Sequence, residues 1–494
     1  MKLTQILIGS SLLVGCTGES NLGNTTQSTV PPPSTRWAVS FGGDDTDEVW
    51  NLKLDSVGDV LATGEAEGHS GIDSELALES KYSFITKRAA ADGSELWRVR
   101  LGIISGDPNG GVKIADAAVD THDNIIALIR VYSSVGSSRA DLGGVSVDIQ
   151  GSADSSSKLA YVVKYSSTGQ LVWAKPLAIG TSPSNISLDG SDRIVVTGTA
   201  LPGTSTIAGT TYVNRTPGAG SYPGDPVHEP GQTLIAAFDS ELVPRWRHIL
   251  QATDQTGANR PTGLAVMSNG DVAVTGSVPL PARQWDDEAL VHPAVLTIGA
   301  MPVQHGSSTY ITRLSEDGAF QSTVELDHPE TSPTASVYVW NPLRAMNDQL
   351  AFNVGQSFDP YHVTYETRFV DEALTLAATT DLGPRGDLTE LVFDGSRVLG
   401  VEHRNREDGT PALYLFTIGE NHQRTDAAPF GELILGAEGT NESVGYFFGP
   451  SAVSADTLVF GGRLGATFDF GTGPMTSHDA NGDALIVALD NSNH

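Results

Sequence analysis

The chain closes on the stretch DALIVALDNSNH, residues 483–494, in which an apolar strand pattern is followed directly by a polar turn. The same pattern occurs in mid-chain as AYVVKYSSTGQLVWAKPL, residues 160–177, where the turn leads into a tryptophan and a further strand. Runs of β-branched and aliphatic residues bounded by polar turns are typical of β-strands. The last copy therefore stops half-way through its unit, and its missing strand has to come from elsewhere.

A hairpin pattern of a strand, a tight polar turn and a second strand recurs along the chain. Its copies begin at Asn51, Asp116, Asn185, Gly263, Leu343, Thr389 and Ser451. The turns consist of Asp, Asn, Ser and Gly, as tight hairpins require. A second hairpin follows the first, and in the early units its last strand carries Trp97, Trp173 or Trp246, which we interpret as wedges between units. Four strands per unit in seven units predict an all-β, seven-bladed β-propeller.

The missing strand is found at the other end of the chain. The segment RWAVSFGG, residues 36–43, is a tryptophan-bearing strand pattern with no preceding partner of its own. We predict that it pairs with the last strand pattern of the seventh unit, so that the N- and C-terminal strands close the ring. Such pairing leaves no blade with a half-finished edge.

Two stretches resemble a known repeat. The stretch RWAVSFGGDDTDEVWNLKLDSVGDVLATG, residues 36–64, resembles the SBBP-type β-propeller repeat of bacterial surface proteins, especially those of myxobacteria and their relatives. FDFGTGPMTSHDANGDALIVALD, residues 468–490, resembles the connector and third strand of the same repeats. The positions that carry the first match are Trp37, Phe41-Gly42-Gly43, Asp55, Gly58 and Thr63-Gly64. The resemblance implies the fold and placement at the cell surface, but no chemistry, because propellers host many functions.

The N-terminus MKLTQILIGSSLLVGC, residues 1–16, has one basic residue, a short apolar run and small residues before Cys16. Its end resembles the bacterial lipobox, which implies that residues 1–15 are a signal peptide and that Cys16, the only cysteine, carries the lipid. The alternative is an ordinary secretory signal with a chance cysteine. Thr17, rather than an aspartate, follows Cys16, which implies the outer membrane. Residues 16–35 are polar and proline-rich, so we expect a lipid-anchored tether ahead of a propeller of residues 36–494.

The charge of the chain excludes one class of partner. Lysine and arginine number 29 against 59 aspartate and glutamate, for a net charge of -30. Nucleic acids are bound mainly by basic side chains, so we expect no nucleic-acid partner. The acidity serves solubility or attracts cations and basic partners. The sequence has no paired-histidine zinc motif, nucleophile elbow or phosphate-binding loop, and therefore no catalytic motif.

Two sets of residues are candidates for binding. Asp479, Asn481 and Asp483 stand at every second position, which is the spacing of the first three ligands in a calcium-binding loop. The glycine that follows these ligands in such a loop and its distant glutamate are lacking, so a plain polar turn is the alternative. Long insertions at 211–232 and 279–297, between the hairpins of units three and four, carry the aromatic candidates Tyr212, Tyr222 and Trp285. Insertions on rigid repeats often form recognition surfaces, and loop self-packing is the alternative.

The sequence thus predicts a monomeric surface lipoprotein that binds or scaffolds a protein or glycan partner, without enzymatic activity and without a cofactor other than calcium. Two alternatives remain. One is an envelope-assembly lipoprotein similar to BamB, which STGQLVW, residues 167–173, also resembles. The other is a surface propeller enzyme acting on polysaccharide. A mixed-charge channel would favour catalysis, whereas an empty or uniformly acidic channel would favour binding.

Overall fold

The structure is a computed structural model of the 494-residue chain. It describes residues 31–42, 46–66, 82–106, 110–133, 137–150, 158–179, 181–200, 203–207, 209–214, 232–250, 260–278, 296–298, 301–303, 308–326, 336–346, 349–359, 362–384, 387–388, 391–393, 397–405, 411–433, 447–465, 467–477 and 482–491. Within these ranges all regular secondary structure is β-strand, and no helix is long and apolar enough to cross a membrane.

The strands are numbered in chain order. The first nineteen are β1 (Thr35–Phe41), β2 (Asp47–Leu54), β3 (Val60–Ala66), β4 (Tyr82–Arg88), β5 (Glu95–Ser105), β6 (Gly111–Val119), β7 (Ile125–Tyr132), β8 (Ser137–Asp141), β9 (Ser146–Gln150), β10 (Lys158–Tyr165), β11 (Leu171–Ile179), β12 (Thr181–Leu188), β13 (Ile194–Ala200), β14 (Gly203–Ile207), β15 (Thr210–Asn214), β16 (Gln232–Phe238), β17 (Pro244–Leu250), β18 (Arg260–Val266) and β19 (Val272–Val278). The others are β20 (Leu296–Ile298), β21 (Met301–Val303), β22 (Ser308–Leu314), β23 (Phe320–Leu326), β24 (Ser336–Met346), β25 (Gln349–Asp359), β26 (His362–Asp371), β27 (Leu376–Pro384), β28 (Asp387–Leu388), β29 (Val392–Phe393), β30 (Val398–Asn405), β31 (Pro411–Ile418), β32 (Arg424–Leu433), β33 (Phe447–Val453), β34 (Thr457–Leu464), β35 (Thr467–Asp469), β36 (Pro474–Thr476) and β37 (Asp483–Asp490).

These strands form the seven blades of a β-propeller, which confirms the predicted fold class. Every pairing between neighbouring strands is antiparallel. From the innermost strand outward, the blades are β2-β3-β4-β5, β6-β7-β10-β11, β12-β13-β16-β17, β18-β19-β22-β23, β24-β25-β26-β27, β28/β29-β30-β31-β32 and β33-β34-β37-β1. We number them 1 to 7 in that order.

The N-terminal strand closes the ring. β1 is the outermost strand of blade 7 and pairs with β37, with Trp37 opposite Ala488 and Phe41 opposite Ala484. The amide of Asp490 extends this pairing by donating a hydrogen bond of 2.8 Å to the carbonyl of Ser34. Blade 7 is thereby completed by a segment that precedes blade 1 in the chain, as the unfinished C-terminal repeat predicts.

The apolar core is divided into layers between neighbouring blades. The layer between blades 1 and 2 contains Leu61 and Ile85 from one side and Val112 and Ile114 from the other. An equivalent buried cluster occupies each of the other six boundaries. Because the middle strands are covered on both faces, β3 and β4 are buried along their whole length. This burial accounts for the continuous apolar runs in the sequence.

Inserted hairpins cover the outer edges of three blades. β8 and β9 follow the second strand of blade 2, yet they extend blade 1 by pairing with β5. β14–β15 extend blade 2 through β11, and β35–β36 extend blade 6 through β32. An exposed edge strand is a site of unwanted pairing, so these hairpins protect the edge and connect neighbouring blades.

Candidate binding site in the central channel

The innermost strands share a β-bulge that shapes the channel. The pairing register shifts between Val49 and Asn51 in β2 and between Ile114 and Asp116 in β6. Corresponding shifts occur in β12, β18, β24 and β33. A bulge inserts an extra residue, bends the strand and re-aims the side chains beside it. The residue after the shift therefore stands at an equivalent place in these six blades, although β24 gains two residues there where β2 gains one.

The residue that follows the bulge is polar in five of these six strands. We call these residues the polar ring; they are Asn51, Asp116, Asn185, Arg344 and Ser451. In β18 the equivalent residue is Gly263, which has no side chain, and Thr262 takes part in the lining instead. All five members line a cavity of about 600 Å³ that is bordered by the innermost strands of all seven blades. This cavity is the central channel of the propeller.

Asp116 connects three blades at the channel wall. Its Oδ1 accepts hydrogen bonds from the Asn51 side-chain amide in blade 1 and, at 2.8 Å, from the Ala117 amide in its own blade. Its Oδ2 accepts a bond of 2.9 Å from the Ile186 amide in blade 3. Bonds of this kind to a carboxylate are stronger than those between neutral groups. The carboxylate is therefore held in one position, and the first three bulges are fixed relative to one another.

The charges of the channel differ from those of the chain as a whole. Lys53, Asp116 and Arg344 line the cavity, so cations outnumber carboxylates among the described lining residues. A further cation lies close by, because Lys113 Nζ is 3.9 Å from the centre of the Trp50 ring, and Trp50 is itself a lining residue. The described lining residues thus have charges of both signs, and they are not uniformly acidic.

A second cluster lies in the turns of blades 2 and 3, where Asp120, His122 and Asp192 present atoms that lie within 4.8 Å of one another, as a metal site would. These carboxylates already have partners. Lys164 Nζ is 2.8 Å from Asp120 Oδ2, and Thr121 donates to both oxygens of Asp192, from its amide at 2.8 Å and its hydroxyl at 2.7 Å. A metal ion would have to replace these bonds, so the arrangement joins two blades rather than presenting open ligands.

Hydrogen bonding controls the ionisation of these turn aspartates. Burial by itself raises the pKa of Asp120, but bonds from Lys164, from Asn124 and from two backbone amides outweigh it and hold the pKa below its ordinary value. Hydrogen bonds from the Ser56 hydroxyl and amide lower the pKa of Asp123, which joins blade 2 to blade 1. Both carboxylates therefore remain ionised to lower pH than ordinary aspartates.

The sequence-derived candidates do not meet in one place. Tyr212 lies in β15 at the edge of blade 2, half-buried against the apolar layer between blades 2 and 3, with the Arg247 guanidinium 5.4 Å from its ring centre. Asp483 is fully buried at the start of β37. The remaining candidates, namely Cys16, Tyr222, Trp285, Asp479 and Asn481, lie outside the described residues.

Sequence reasoning missed the polar ring, although a signal for part of it exists. Asn51, Asp116 and Asn185 each stand four residues before the aspartate that opens the following turn, in NLKLD, DAAVD and NISLD. That spacing recurs because the bulge and the turn are fixed parts of the repeat. The turn cluster leaves no such signal, since its members belong to different blades.

No protein-family model matches this chain, and no curated protein matches it. The resemblance to the SBBP-type repeat therefore stays a prediction.

Among solved structures, a protein of unknown function from Dyadobacter fermentans DSM 18053 is 12% identical at a TM-score of 0.39, over 78% of this chain and 98% of that chain. A polysaccharide lyase of family PL25, an ulvan lyase, is 8% identical at a TM-score of 0.40, over 76% of this chain and 80% of that chain. The GH93 α-L-arabinofuranosidase of Fusarium graminearum is 12% identical at a TM-score of 0.37, over 79% and 97%. At such distance the fold assignment rests on the strand pairing and ring closure described above.

Proposed function

We propose that this protein is a binding module of the bacterial cell envelope, a lipid-anchored β-propeller that takes a ligand into its central channel. The supporting observation is the polar ring, whose side chains converge on one cavity from five blades. Because Asp116 is held by donors from three blades, that part of the ring is formed before a ligand arrives. Preformed polar groups in a concave site lower the ordering cost of binding.

The proposed anchor is Cys16, joined to the propeller by the tether of residues 16–35. The lipobox-like sequence before Cys16 supports lipidation, and Thr17 supports the outer membrane. Replacing Cys16 by alanine should move the protein from the detergent phase to the aqueous phase in a phase-separation assay, and from the outer-membrane fraction to the soluble fraction. Unchanged partition of the Cys16→Ala variant would remove the anchor from the proposal.

A polysaccharide-acting enzyme is the second candidate, because the channel brings a carboxylate and two cationic side chains together, which is the mixed charge that we expect of a catalytic channel. Acid–base catalysis needs a group that accepts a proton from the substrate. Asp116 is the only carboxylate among the described lining residues, and it already accepts three hydrogen bonds. We therefore favour binding over turnover.

The test uses the full-length lipoprotein in detergent, incubated with neutral and acidic polysaccharides. We expect saturable binding without the appearance of new chain ends. The Ala115→Trp variant should abolish binding, because Ala115 lines the cavity and an indole there would obstruct it. Ala91→Trp places the same ring in an exposed turn and should leave binding unchanged. Cleavage that depends on the open channel would replace the binding proposal by the enzyme.

A further inference from the structure

We propose that one end of the propeller rests on a zwitterionic lipid surface, with its turns against the headgroups. This inference rests on the Cys16 anchor of the proposed function and adds the orientation of the anchored propeller. It is carried by the place where the chain enters the ring, by a set of exposed aliphatic side chains, and by the charges around them.

Two turns of each blade lie at the same end of the propeller. Successive strands run in opposite directions, so the turn between the first and second strands lies beside the turn between the third and fourth. In blade 1 the two turns are in contact, because Asp59 accepts a hydrogen bond of 2.9 Å from the Ala90 amide. Lys87 Nζ, at the end of β4, is also 2.6 Å from Asp55 Oδ2. We call this end of the propeller the turn face.

The N-terminal segment joins the ring at the turn face. β1 is the fourth strand of blade 7, so it begins where the fourth strands of the other blades begin. The Arg36 guanidinium donates a hydrogen bond of 2.9 Å to the carbonyl of Asp456, in the turn between the first two strands of that blade. With a lipid at Cys16, the turn face can approach the bilayer without the chain passing round the propeller. Anchoring also raises the effective concentration of the lipid surface, so weak contacts suffice.

The turn face carries most of the exposed large apolar side chains. Apolar residues that are exposed singly are common on protein surfaces. Here, however, five of the seven that are exposed in the described part of the chain lie in or beside the turns. The other two, Ile104 and Tyr132, lie near the ends of β5 and β7 that are remote from the turns. The five belong to four blades and are between 50% and 72% exposed; they are Val57, Leu96, Val172, Val243 and Leu376. Such side chains can enter the boundary between the headgroups and the acyl chains of a bilayer.

The charges of the turn face favour a zwitterionic lipid surface. Some of its carboxylates are paired with cations, since Lys175 Nζ lies 3.2 Å from Glu241 Oε2 and Arg36 Nη2 lies 3.3 Å from Asp456 Oδ2. Others, such as Asp92, are exposed in the turns. An anionic surface would repel these carboxylates, whereas a zwitterionic surface has no net charge.

The experiment reconstitutes the full-length lipoprotein in phosphatidylcholine vesicles that contain a doxyl-labelled lipid as a fluorescence quencher. A nitrobenzoxadiazole label is attached through Val57→Cys or, as the matched control at the other end of the propeller, through Ile104→Cys. The label reacts with the introduced thiol only, because lipidation consumes the thiol of Cys16. We expect the quencher to reduce the emission at position 57 by about twofold more than at position 104, because the turn face reaches the headgroups.

Two further changes test the apolar and the charged contributions separately. Replacing Leu96 and Val172 together by serine removes two of the exposed aliphatic side chains and should lower the quenching at position 57 about twofold. Ile104→Ser should leave that quenching unchanged, and the thermal midpoints should not move, because all three side chains are exposed. Adding phosphatidylglycerol to the vesicles should lower the quenching, and salt should restore it. Stronger quenching in anionic vesicles would overturn the zwitterionic assignment.

The outcomes distinguish this inference from the proposed function. If the vesicles carry the protein but the labels at positions 57 and 104 are quenched equally, the anchor stands, the turn face is not the contact, and the inference fails. If the protein does not float with the vesicles, the Cys16 anchor fails and this inference fails with it. Binding in the channel is decided independently by the Ala115→Trp variant.

Discussion

The tryptophans of blades 1 and 2 occupy the same place in the repeat, yet only the first docks onto the next blade by donating its indole N–H to a turn of that blade. Trp97 donates its indole N–H to the Ser167 carbonyl at 3.0 Å, and its ring lies against Gly169. Trp173 packs against the apolar layer that contains Leu242 of the equivalent turn, and its indole N–H is buried without a partner in the described part of the chain. Lys175 makes the contact instead, by donating to the Glu241 carbonyl.

The two tryptophans differ in the turn that receives them. Gly169 has a φ of +80°, and a Cβ there would lie 2.7 Å from the Trp97 ring. The turns that receive Trp37 and Trp246 also have a positive-φ glycine, Gly93 and Gly318, and both indoles donate to a turn carbonyl. Leu242 reaches the same left-handed conformation, with a φ of 63°, but it has a side chain, which is buried in the apolar layer between blades 2 and 3.

The boundary between blades 7 and 1 gives the largest expected effect, because there the docked tryptophan belongs to the strand that closes the ring. Deleting residues 36–43 removes β1 and the Trp37 contact with Ala90 and exposes the edge of β37. We expect the free energy of unfolding to fall by more than about 4 kcal/mol, beyond the range of ordinary point substitutions. Thermal and denaturant unfolding measure this.

The control deletion removes residues 18–30 from the tether and should leave the thermal midpoint nearly unchanged. Equal midpoints for the two deletions would show that the ring is stable without its terminal strand pair.

The glycine comparison predicts the next largest effect. In Gly169→Ala the new Cβ would clash with Trp97 and alanine would have to adopt a positive φ. We expect a loss of about 3 kcal/mol in unfolding free energy, of which about 1 kcal/mol is backbone strain and the rest overpacking. Gly209→Ala is the matched control, because Gly209 has a φ of +76° with nothing within 4 Å of a Cβ. Equal losses in the two variants would mean that the docked indole moves aside without cost.

The two tryptophans themselves can be compared by replacing each with phenylalanine. Trp97→Phe loses the hydrogen bond to Ser167 and should cost about 1 kcal/mol more than Trp173→Phe, whose indole N–H has no partner to lose in the described structure. Both variants lose a similar part of the ring, so the difference in unfolding free energy isolates the bond. A larger loss in Trp173→Phe would overturn the interpretation of this boundary.

The parts of the fold that follow a short period could be predicted from the sequence. Hairpins such as the one that starts at Asn51 combine a continuous apolar strand, buried along its whole length, with a turn of marked composition, so that strand, turn and blade count follow from local patterns. The pairing of Trp37 with the last blade was predictable because the repeat lacks one strand in its last unit and has one strand to spare before its first. The strands and turns themselves depend on residues that are neighbours in the sequence.

Most features of the candidate site have no local pattern, and the spacing of Asn51, Asp116 and Asn185 from the next turn is the exception. A bulge is one extra residue inside a strand, and no residue type marks it, since Asp116 follows it in one blade and Gly263 in another. The turn at Leu242 contains no glycine, so its positive φ was not expected from composition. Lys53 and Arg344, almost three hundred residues apart, line one cavity, and that requires the closed ring.

The smallest expected effect concerns the carboxylates that join the first three blades. Since hydrogen bonds from Ser56 lower the pKa of Asp123, the folded state binds the proton more weakly than the unfolded chain, whose aspartates titrate near pH 3.9. The stability that Asp123 contributes is therefore fully present above about pH 4 and is lost as the pH falls through the lower folded pKa. Asp123→Asn should flatten the acid limb of a plot of thermal midpoint against pH, and asparagine tolerates the positive φ of 60° at this position.

Asp148→Asn, at a carboxylate that is 79% exposed, should leave the limb unchanged. If Asp123→Asn also leaves it unchanged, the bond between blades 1 and 2 contributes nothing to acid stability, and docking of Trp97 onto Gly169 is the stronger link at that boundary.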